Sequence, residues 1–537
     1  MNARLKTDQI ARLKLEIQDE PKLAFLHLVC AGGISVLMES KFPVLIAVAL
    51  ISLLILGCAG QQNQPAVSEP VKNAPANPPS SPPMQQPQAE NKAVSLPLPP
   101  PAVENETIVA PPLQEKPAKP SAPATNVSCI GQFTGKMDVF DSHVHIMSKI
   151  SISQVISEMD KADVGISLLY PIDGDDDSSS LEAMSKYPGR FVAFVDTPDS
   201  PQPSTWLTQG QAFTTFAEAQ LKTGKFCGIG ETNLRYYSGD IIPPPTVYVS
   251  PDTPLWLSLV DLSAKYQVPI SFHFVPDDAV ANAAFEKMLK HNKGATVLWS
   301  HLGFNNMPLD RTALNGFLLK YPNMYFDTAG IQNMQNPLPK SNSNWALFTN
   351  QSYNGRLNEE WTEFFETWNS RILFGSDAGG GSNGLERWQN YADNTVGGAT
   401  PNAVGHWRTL LSSLDYNSAS NILSGNARVL FLKEQRLPYN YLVSSNGQCY
   451  FISISSNSSI SGLTFDQNTG TITFTAADST MTAGSAAITI PTALASGNFT
   501  ASVDGQNVQI KEVPGSAYTT IRLEYGGGIK TIVLRAQ

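Results

Sequence analysis

The chain has 537 residues, 42% of them hydrophobic and 15% charged, and this balance excludes an intrinsically disordered protein. Its formal net charge of -10 offers no attraction to phosphate backbones, so we expect no nucleic-acid partner. The five cysteines include no C-x-x-C pair, which argues against a thiolate zinc site. Any metal ion must therefore be held by nitrogen and oxygen atoms.

An uncharged apolar run, 42–56, precedes Cys58. A membrane-spanning helix needs about 20 residues, so this run is too short to be one. Its length is typical of the core of a signal peptide. The residues before Cys58, Ile55-Leu56-Gly57, complete a pattern that resembles a lipobox, in which the signal is cut before a cysteine that carries lipid. We expect residues 1–57 to be a signal or anchor segment, with 1–37 a misassigned extension, and Cys58 to be lipidated. An uncleaved signal anchor is the alternative.

Residues 58–128 are rich in proline, alanine, glutamine, asparagine and serine, with Pro-Pro pairs at 78–79, 82–83 and 111–112. This composition cannot bury a core and favours extended polyproline conformations. We predict a disordered tether that joins a membrane anchor to the folded part. Whether the apolar run is a cleaved lipoprotein signal or an uncleaved anchor, we expect the protein to be extracytoplasmic and tethered to the cell membrane.

Short β-branched runs alternate with amphipathic helical ones through residues 129–437, the pattern of a parallel sheet with crossover helices. Eight runs are predicted strands: 138–146, 164–172, 191–198, 226–232, 268–274, 296–303, 324–331 and 372–380. Eight strands with intervening helices predict an α/β fold of the (β/α)8 barrel type.

From residue 438 to 537 the sequence becomes rich in serine, threonine, asparagine and glycine, and strand-like runs follow one another closely. The six runs are 450–455, 471–476, 486–491, 499–503, 519–525 and 530–536. Strands that follow one another without helices predict an antiparallel β-sandwich. No motif with chemistry occurs in this segment, so we expect it to be dispensable for catalysis.

Histidines and an aspartate fall near the carboxyl ends of predicted strands. His143 and His145 are on the first strand, His273 on the fifth, His301 on the sixth and Asp377 on the eighth. The loops at that end of a barrel build the active site, so these side chains should converge. Residues i and i+2 of a strand point to the same side, so both imidazoles of the H-x-H pair can face one ion. Imidazoles with a carboxylate suit zinc, and manganese, iron or nickel are alternatives.

The motifs DSHVHI, GIGE, SFHF, LWSHLG, LFGSDAG and SGNARVLF, in this order, resemble the amidohydrolase superfamily. The resemblance covers about residues 138–432. It is to the amidohydrolase-related branch, which includes lactonases and aminocarboxymuconate-semialdehyde-decarboxylase-like enzymes. The resemblance implies a divalent metal bound by His143, His145, His273 and Asp377. It also implies that His301 is either the proton-transferring histidine or a ligand of a second metal.

Glu231 in the GIGE motif resembles the bridging carboxylate of binuclear relatives, which leaves one or two metal ions open. A carboxylate hydrogen-bonded to loop amides is the structural alternative. Arg235 either binds a substrate carboxylate or pairs with Glu231. Cys227 is expected to be buried packing, and Cys129 and Cys449 could form a disulfide.

These inferences predict an extracytoplasmic metal-dependent hydrolase that uses metal-activated water on an amide, lactone or ester bond of a small molecule. Asp377 would accept a proton and His301 would assist. One alternative is a metal-dependent decarboxylase, a lyase that acts on a carboxylated aromatic or muconate-like substrate. Another is a surface adhesion protein with an inactive barrel. The joint presence of four histidines and an aspartate at strand ends argues against the adhesion protein.

Overall fold

The computed structural model describes residues 24–29, 35–40, 137–146, 150–171, 177–197, 203–236, 247–275, 278–303, 311–329, 357–380, 384–392 and 404–537. The chain divides into two compact units, 1–116 and 117–537. In the first unit, β1 (Ala24–Val29) and β2 (Ser35–Ser40) pair as an antiparallel hairpin. The apolar run 42–56 and Cys58 lie outside the described residues, as does the predicted tether. No helix within the described ranges is long and apolar enough to cross a membrane.

The second unit begins with an α/β region, residues 137–432. Its strands are β3 (Phe140–Ile146), β4 (Ile166–Pro171), β5 (Phe191–Ala193), β6 (Ile229–Asn233), β7 (Arg235–Tyr236), β8 (Val247–Tyr248), β9 (Pro269–His273), β10 (Thr296–Trp299), β11 (Met324–Asp327) and β12 (Ile372–Leu373). Each of the eight predicted strands has an observed counterpart, and β6 extends one residue beyond its predicted end. Only β7 and β8, a short antiparallel pair after β6, were not predicted in this part of the described chain.

The remaining eight strands pair in parallel and form two sheets. One sheet has the order β3–β4–β5, and the other has the order β6–β9–β10–β11–β12. Isolated parallel bridges join the sheets at both edges, between Val195 and Ile229 and between Val144 and Ala378. All eight carboxyl ends therefore point to the same side of the α/β region.

Helices connect these strands and cover their outer faces. They are α1 (Ile152–Ala162), α2 (Ser178–Lys186), α3 (Pro203–Lys222), α4 (Pro254–Tyr266), α5 (Ala279–His291), α6 (Arg311–Lys320), α7 (Glu359–Thr367), α8 (Gly384–Gln389), α9 (Val404–Leu411), α10 (Tyr416–Ser420) and α11 (Asn426–Phe431). In α1, the Ser151 hydroxyl accepts from the Gln154 backbone N–H, and the Gln154 side chain accepts from the Ser151 backbone N–H. Such a capping box fixes where a helix begins.

The parallel strands are buried on both faces, as expected where helices cover one side. On one side, Phe140, Leu168, Phe194, Leu298 and Leu373 come together in an apolar cluster that also includes Phe431 of α11. The larger cluster packs the strands against the surrounding helices. This rigid frame fixes the strand ends that carry the polar residues described below.

The C-terminal segment is an antiparallel β-sandwich, as predicted. Its strands are β13 (Tyr439–Ser445), β14 (Gln448–Ser456), β15 (Ser459–Asp466), β16 (Thr471–Ala477), β17 (Ala483–Pro491), β18 (Phe499–Val503), β19 (Gln506–Val508), β20 (Ile510–Pro514), β21 (Tyr518–Gly526) and β22 (Ile529–Ala536). One sheet has the order β13–β14–β17–β21–β20, and the other has the order β15–β16–β22–β18–β19. Isoleucines of both sheets, including Ile454, Ile472, Ile488 and Ile532, share one core.

The sandwich contacts the α/β region near the amino ends of strands, away from the strand ends that carry the histidines. Asn369, which precedes β12 and is fully buried, donates through Nδ2 to the carbonyl of Ile460 at 3.0 Å. Its Oδ1 accepts from the Tyr439 hydroxyl at 3.2 Å. The Thr480 backbone N–H donates to the carbonyl of Leu319 at 2.7 Å. The two parts therefore share buried polar contacts, so removal of the sandwich would expose polar groups of the α/β region.

We predict that Asn369→Ala lowers the free energy of unfolding by about 2–4 kcal/mol, since each buried polar group left without a partner costs about 1–3 kcal/mol. Urea denaturation measures this change. The matched control is Asn468→Ala, at an exposed turn of the sandwich, which should stay within about 0.5 kcal/mol of the wild type. Equal stabilities for the two variants would contradict a joint role for Asn369 in both parts.

Candidate functional site

Six polar residues predicted from the sequence meet at the carboxyl ends of the parallel strands. His143 and His145 lie on β3, Glu231 on β6 and His273 at the end of β9, while His301 and Asp377 follow β10 and β12. The side chain of each is about nine-tenths buried or more. Strand alternation explains the H-x-H pair, because residues two apart on β3 face the same side.

One half of this cluster consists of His143 and His145 from β3 and Asp377, which follows β12. The Nε2 atoms of His143 and His145 lie 3.2 Å apart. Asp377 Oδ1 lies 3.3 Å from His145 Nε2 and 3.9 Å from His143 Nε2. Two ring nitrogens and a carboxylate oxygen therefore face one point.

Glu231 joins this half to the other histidines through its two oxygens. Oε2 lies 3.1 Å from His143 Nε2 and 3.7 Å from His145 Nε2. Oε1 lies 3.0 Å from His301 Nε2 and 3.7 Å from His273 Nδ1. The carboxylate thus contacts both pairs of histidines, and the structural alternative of a carboxylate bound by loop amides does not describe these contacts.

The outer nitrogens of two rings make hydrogen bonds away from the cluster. His143 Nδ1 lies 3.0 Å from Asp327 Oδ2, and His301 Nδ1 lies 2.8 Å from the carbonyl oxygen of Ala329. A carbonyl oxygen only accepts, so His301 Nδ1 carries the proton and its Nε2 faces Glu231. Histidines that bind metals in proteins usually donate their other ring N–H in this way.

Arg387 of α8 contacts the aspartate of the cluster. Its Nη1 donates to Asp377 Oδ2 in a short ion pair and to the Asp377 carbonyl at 3.0 Å. Asp377 Oδ1 is the oxygen that faces the histidines. Arg387 therefore leaves one carboxylate oxygen directed at the cluster.

The buried charged groups of the cluster shift the pKa values of one another. Burial opposes the ionised form of Glu231, but the charges of His143 and His301 and their hydrogen bonds outweigh burial and hold the pKa of Glu231 well below its ordinary value. Burial likewise opposes protonation of His143, but Glu231 and Asp327 raise its pKa well above the ordinary value. For His273, burial and then the charge of His301 lower the pKa to about 3. Cation binding to these groups would displace protons and depend on pH.

Glycines near the cluster allow a close approach of backbone and side chains. A Cβ on Gly379, which has a φ of +85°, would overlap the carbonyl oxygen of His145, and one on Gly380 would overlap Asp377 Oδ1. These positions need glycine because the strand-end groups pack against them.

Of the two roles considered for Arg235, pairing with Glu231 is not the one that the described side chains adopt. Its Nη2 donates to Asp278 Oδ2 at 2.9 Å, and its guanidinium lies over the ring of Tyr248 with 4.6 Å to the centroid. The reason is local, because Asp278 caps α5 at the loop beside β7 and β8. Arg235 thus links the loops after β6 and β9.

The cysteines differ in state. Burial raises the pKa of the Cys227 thiol to about 12, and the thiol contacts the carbonyl of Ala193 at 3.4 Å, as expected of a packing residue. Cys449 is disulfide-bonded. Cys129, its predicted partner, lies outside the described residues.

Sequence reasoning missed two charged residues that contact the cluster, Asp327 and Arg387. Asp327 ends β11, so the rule that selected the other strand-end residues would have selected it too. Arg387 carries no such signal, because it lies on a helix after a glycine run and reaches the cluster only through its long side chain.

Comparison with known proteins found no matching family model and no matching curated protein. Among solved structures, the chain is similar to a Staphylococcus aureus protein whose amidohydrolase assignment is provisional, with 13% identity, a TM-score of 0.32, and coverage of 55% of this chain and 99% of that one. It is also similar to a glycoside hydrolase family 30 subfamily 8 xylanase from Clostridium acetobutylicum, with 10% identity, a TM-score of 0.28, and coverage of 75% and 96%. A family 30 endoxylanase from Clostridium papyrosolvens gives 11% identity, a TM-score of 0.25, and coverage of 75% and 97%.

Two overlapping groups within the described residues have the donor atoms that a metal ion requires. One is His143, His145 and Asp377, and the other is His143, Glu231 and His301. Imidazole nitrogens and carboxylate oxygens suit zinc and related divalent metals. The Nε2 atoms of His143 and His145, 3.2 Å apart, lie close enough for one ion to bind both.

Arg387 should control the ionisation of Asp377. Burial alone would raise the pKa of Asp377, but the charge of Arg387, followed by contacts with histidines, lowers it below the usual range. We predict that Arg387→Met raises this pKa by about 1–3 units, the effect of losing an adjacent arginine. An NMR titration of aspartate-labelled, metal-free protein measures it. Arg387→Lys keeps the charge and should titrate near the wild type. Identical titrations for the wild type and Arg387→Met would refute the electrostatic role.

Proposed function

We propose that this protein is a metal-dependent hydrolase of the amidohydrolase type, built on a (β/α)8 barrel. The eight parallel strands and the two bridges at the edges of their sheets support the proposed barrel. The observation that carries the function is the convergence of four histidines and two carboxylates from five strand ends on one buried cluster. Carboxyl ends of barrel strands are where catalytic residues of such enzymes lie.

His143, His145 and Asp377 are the proposed ligands of one divalent ion, most suitably zinc. The divergent oxygens of Glu231 favour a second ion, held with His273 and His301. Glu231 would then bridge the two ions. A single ion with His301 left as a proton-transfer group is the alternative, and the two differ in metal stoichiometry.

A divalent metal bound in this cluster supplies two things, activation of water at neutral pH and polarisation of the carbonyl group under attack. Asp377 is the proposed proton acceptor. Arg387 keeps its carboxylate ionised, as a proton acceptor must be, and reduces its basicity. His301 Nε2, 3.0 Å from Glu231 Oε1, is the proposed group that assists proton transfer to the leaving group.

The substrate class is tested with the purified, zinc-loaded chain against panels of lactones, amides, esters and carboxylated aromatics. The proposal predicts hydrolysis of at least one lactone, amide or ester. Release of carbon dioxide from a carboxylated aromatic or muconate-like compound would instead identify a decarboxylase. Binding of zinc with no turnover of any panel would favour the adhesion protein with an inactive barrel.

We predict that His143→Ala together with His145→Ala abolishes stoichiometric metal binding, because both ring nitrogens directed at one point are lost. Elemental analysis after reconstitution and gel filtration measures the metal. His291→Ala is the matched control, since His291 pairs with Asp261 at an exposed helix end. A folded wild type that holds no metal would contradict the site assignment.

The variant His301→Asn distinguishes a site that holds one metal ion from a site that holds two. With one ion, kcat falls by about 10²–10⁴ and the metal content is unchanged, the effect of losing a general acid or base. With two ions, the variant loses one equivalent of metal. Unchanged rate and unchanged metal content would rule out both roles for His301.

We also propose that Cys58 is lipidated, which would tether the enzyme to the outer side of a cell membrane through the proline-rich segment. The support is the apolar run 42–56 that ends at a lipobox-like pattern. Mass spectrometry of the native N-terminus should find a lipidated Cys58 as the first residue. An intact N-terminus upstream of residue 58 would favour the uncleaved signal anchor.

A further inference from the structure

Asp327, the last residue of β11, is a fully buried carboxylate that contacts two histidines of the cluster from outside it. Its Oδ2 lies 3.0 Å from His143 Nδ1. Its Oδ1 accepts from the backbone N–H of His301 at 2.8 Å and from that of Ala329 at 3.1 Å. Both oxygens are therefore engaged away from the point where the Nε2 atoms meet.

The contact with His143 determines which ring nitrogen carries a proton. Asp327 Oδ1 accepts two backbone N–H groups, and an ionised carboxylate offers only acceptors, so the remaining oxygen must receive the proton of His143 Nδ1. When the ring is neutral, the lone pair is then on Nε2. That atom lies 3.2 Å from His145 Nε2 and 3.1 Å from Glu231 Oε2.

The contact of Asp327 with His301 stabilises the backbone conformation that orients the His301 ring. His301 has a φ of +60° and Leu302 a φ of +51°, in the left-handed region that non-glycine residues rarely adopt. Asp327 Oδ1 binds the backbone N–H of His301, and the carbonyl of Ala329 binds its ring Nδ1. The segment 327–329 thus holds both the backbone and the ring of His301.

We propose that Asp327 is a positioning residue that sets the tautomer of His143 and the conformation of His301, so that both rings direct Nε2 at Glu231. This inference rests on the proposed function only for its consequence, which is metal affinity. Its structural content, a ring Nδ1–H of His143 bound to a carboxylate, applies to the metal-free chain as well.

Asp327→Asn tests the proposal with little change of shape. Two backbone N–H groups point at the Oδ1 position, so the amide oxygen must lie there and the NH₂ group must face His143 Nδ1. Nδ1 then becomes an acceptor, and the proton moves to Nε2, where it blocks metal binding. We expect the exchange-protected ring Nδ1–H resonance of His143 to disappear from the NMR spectrum, and the zinc affinity to fall about 10–100-fold.

Two further variants make the result decisive. His143→Gln identifies the resonance in the wild type. Asp478→Asn, a buried aspartate 3.7 Å from Arg371 at the contact with the sandwich, is the matched control and should preserve both the resonance and the zinc affinity. A folded Asp327→Asn protein that keeps the resonance and the affinity would overturn the proposal.

The spectrum of the wild type also tests the proposal if Asp327→Asn does not fold. The proposal is overturned if the wild-type spectrum contains no protected ring N–H resonance that disappears in His143→Gln. Failure of the proposed function would look different, because the wild type would then show the resonance but bind no zinc.

Discussion

A histidine ring can direct a lone pair at a metal ion only when its other nitrogen holds the proton, and the structure meets this constraint for two of the four rings in the strand-end cluster. His301 meets it through the carbonyl of Ala329 and His143 through Asp327. Both acceptors belong to the end of β11, so one strand orients rings that come from β3 and from the end of β10. Glu231 contacts the Nε2 atoms of both rings at close to 3 Å.

The fold supplies this arrangement by separating two tasks. Phe431 packs against Phe140 at the amino end of β3, and Asn369, which precedes β12, contacts the sandwich. The carboxyl ends carry the ionisable groups, where glycine at 379 and 380 lets backbone and carboxylate pack closely. Buried charges are costly unless they are paired, and here carboxylates, imidazoles and Arg387 pair with one another.

Much of this could be predicted from the sequence, because a parallel sheet with crossover helices leaves a strong pattern of apolar and β-branched runs. The rule that strand ends converge then located His143 and Asp377, while Glu231 was identified only from the resemblance of the GIGE motif. The sandwich was harder, because four of its ten strands had no predicted counterpart: β13, β15, β19 and β20, the edge strands of the two sheets. Of these, β19 (Gln506–Val508) and β20 (Ile510–Pro514) are short and partly exposed and have no apolar run.

The contacts that orient the site could not be predicted in the same way. Asp327 lies 184 positions from His143, and a lone aspartate at a strand end gives no indication of its partner. Arg235 illustrates the converse, since the sequence left open whether it binds a substrate carboxylate or pairs with Glu231, while the structure pairs it with Asp278, which caps α5. Such pairings depend on how loops from different strands pack, which is tertiary information.

The most direct measurement is anomalous diffraction at the zinc edge from crystals of the zinc-loaded protein. The account predicts a peak between the Nε2 atoms of His143 and His145 and Asp377 Oδ1, with any second peak between Glu231 Oε1 and the rings of His273 and His301. Asp327 should lie outside the coordination sphere of both. Zinc bound only elsewhere, or coordinated by Asp327, would contradict the account.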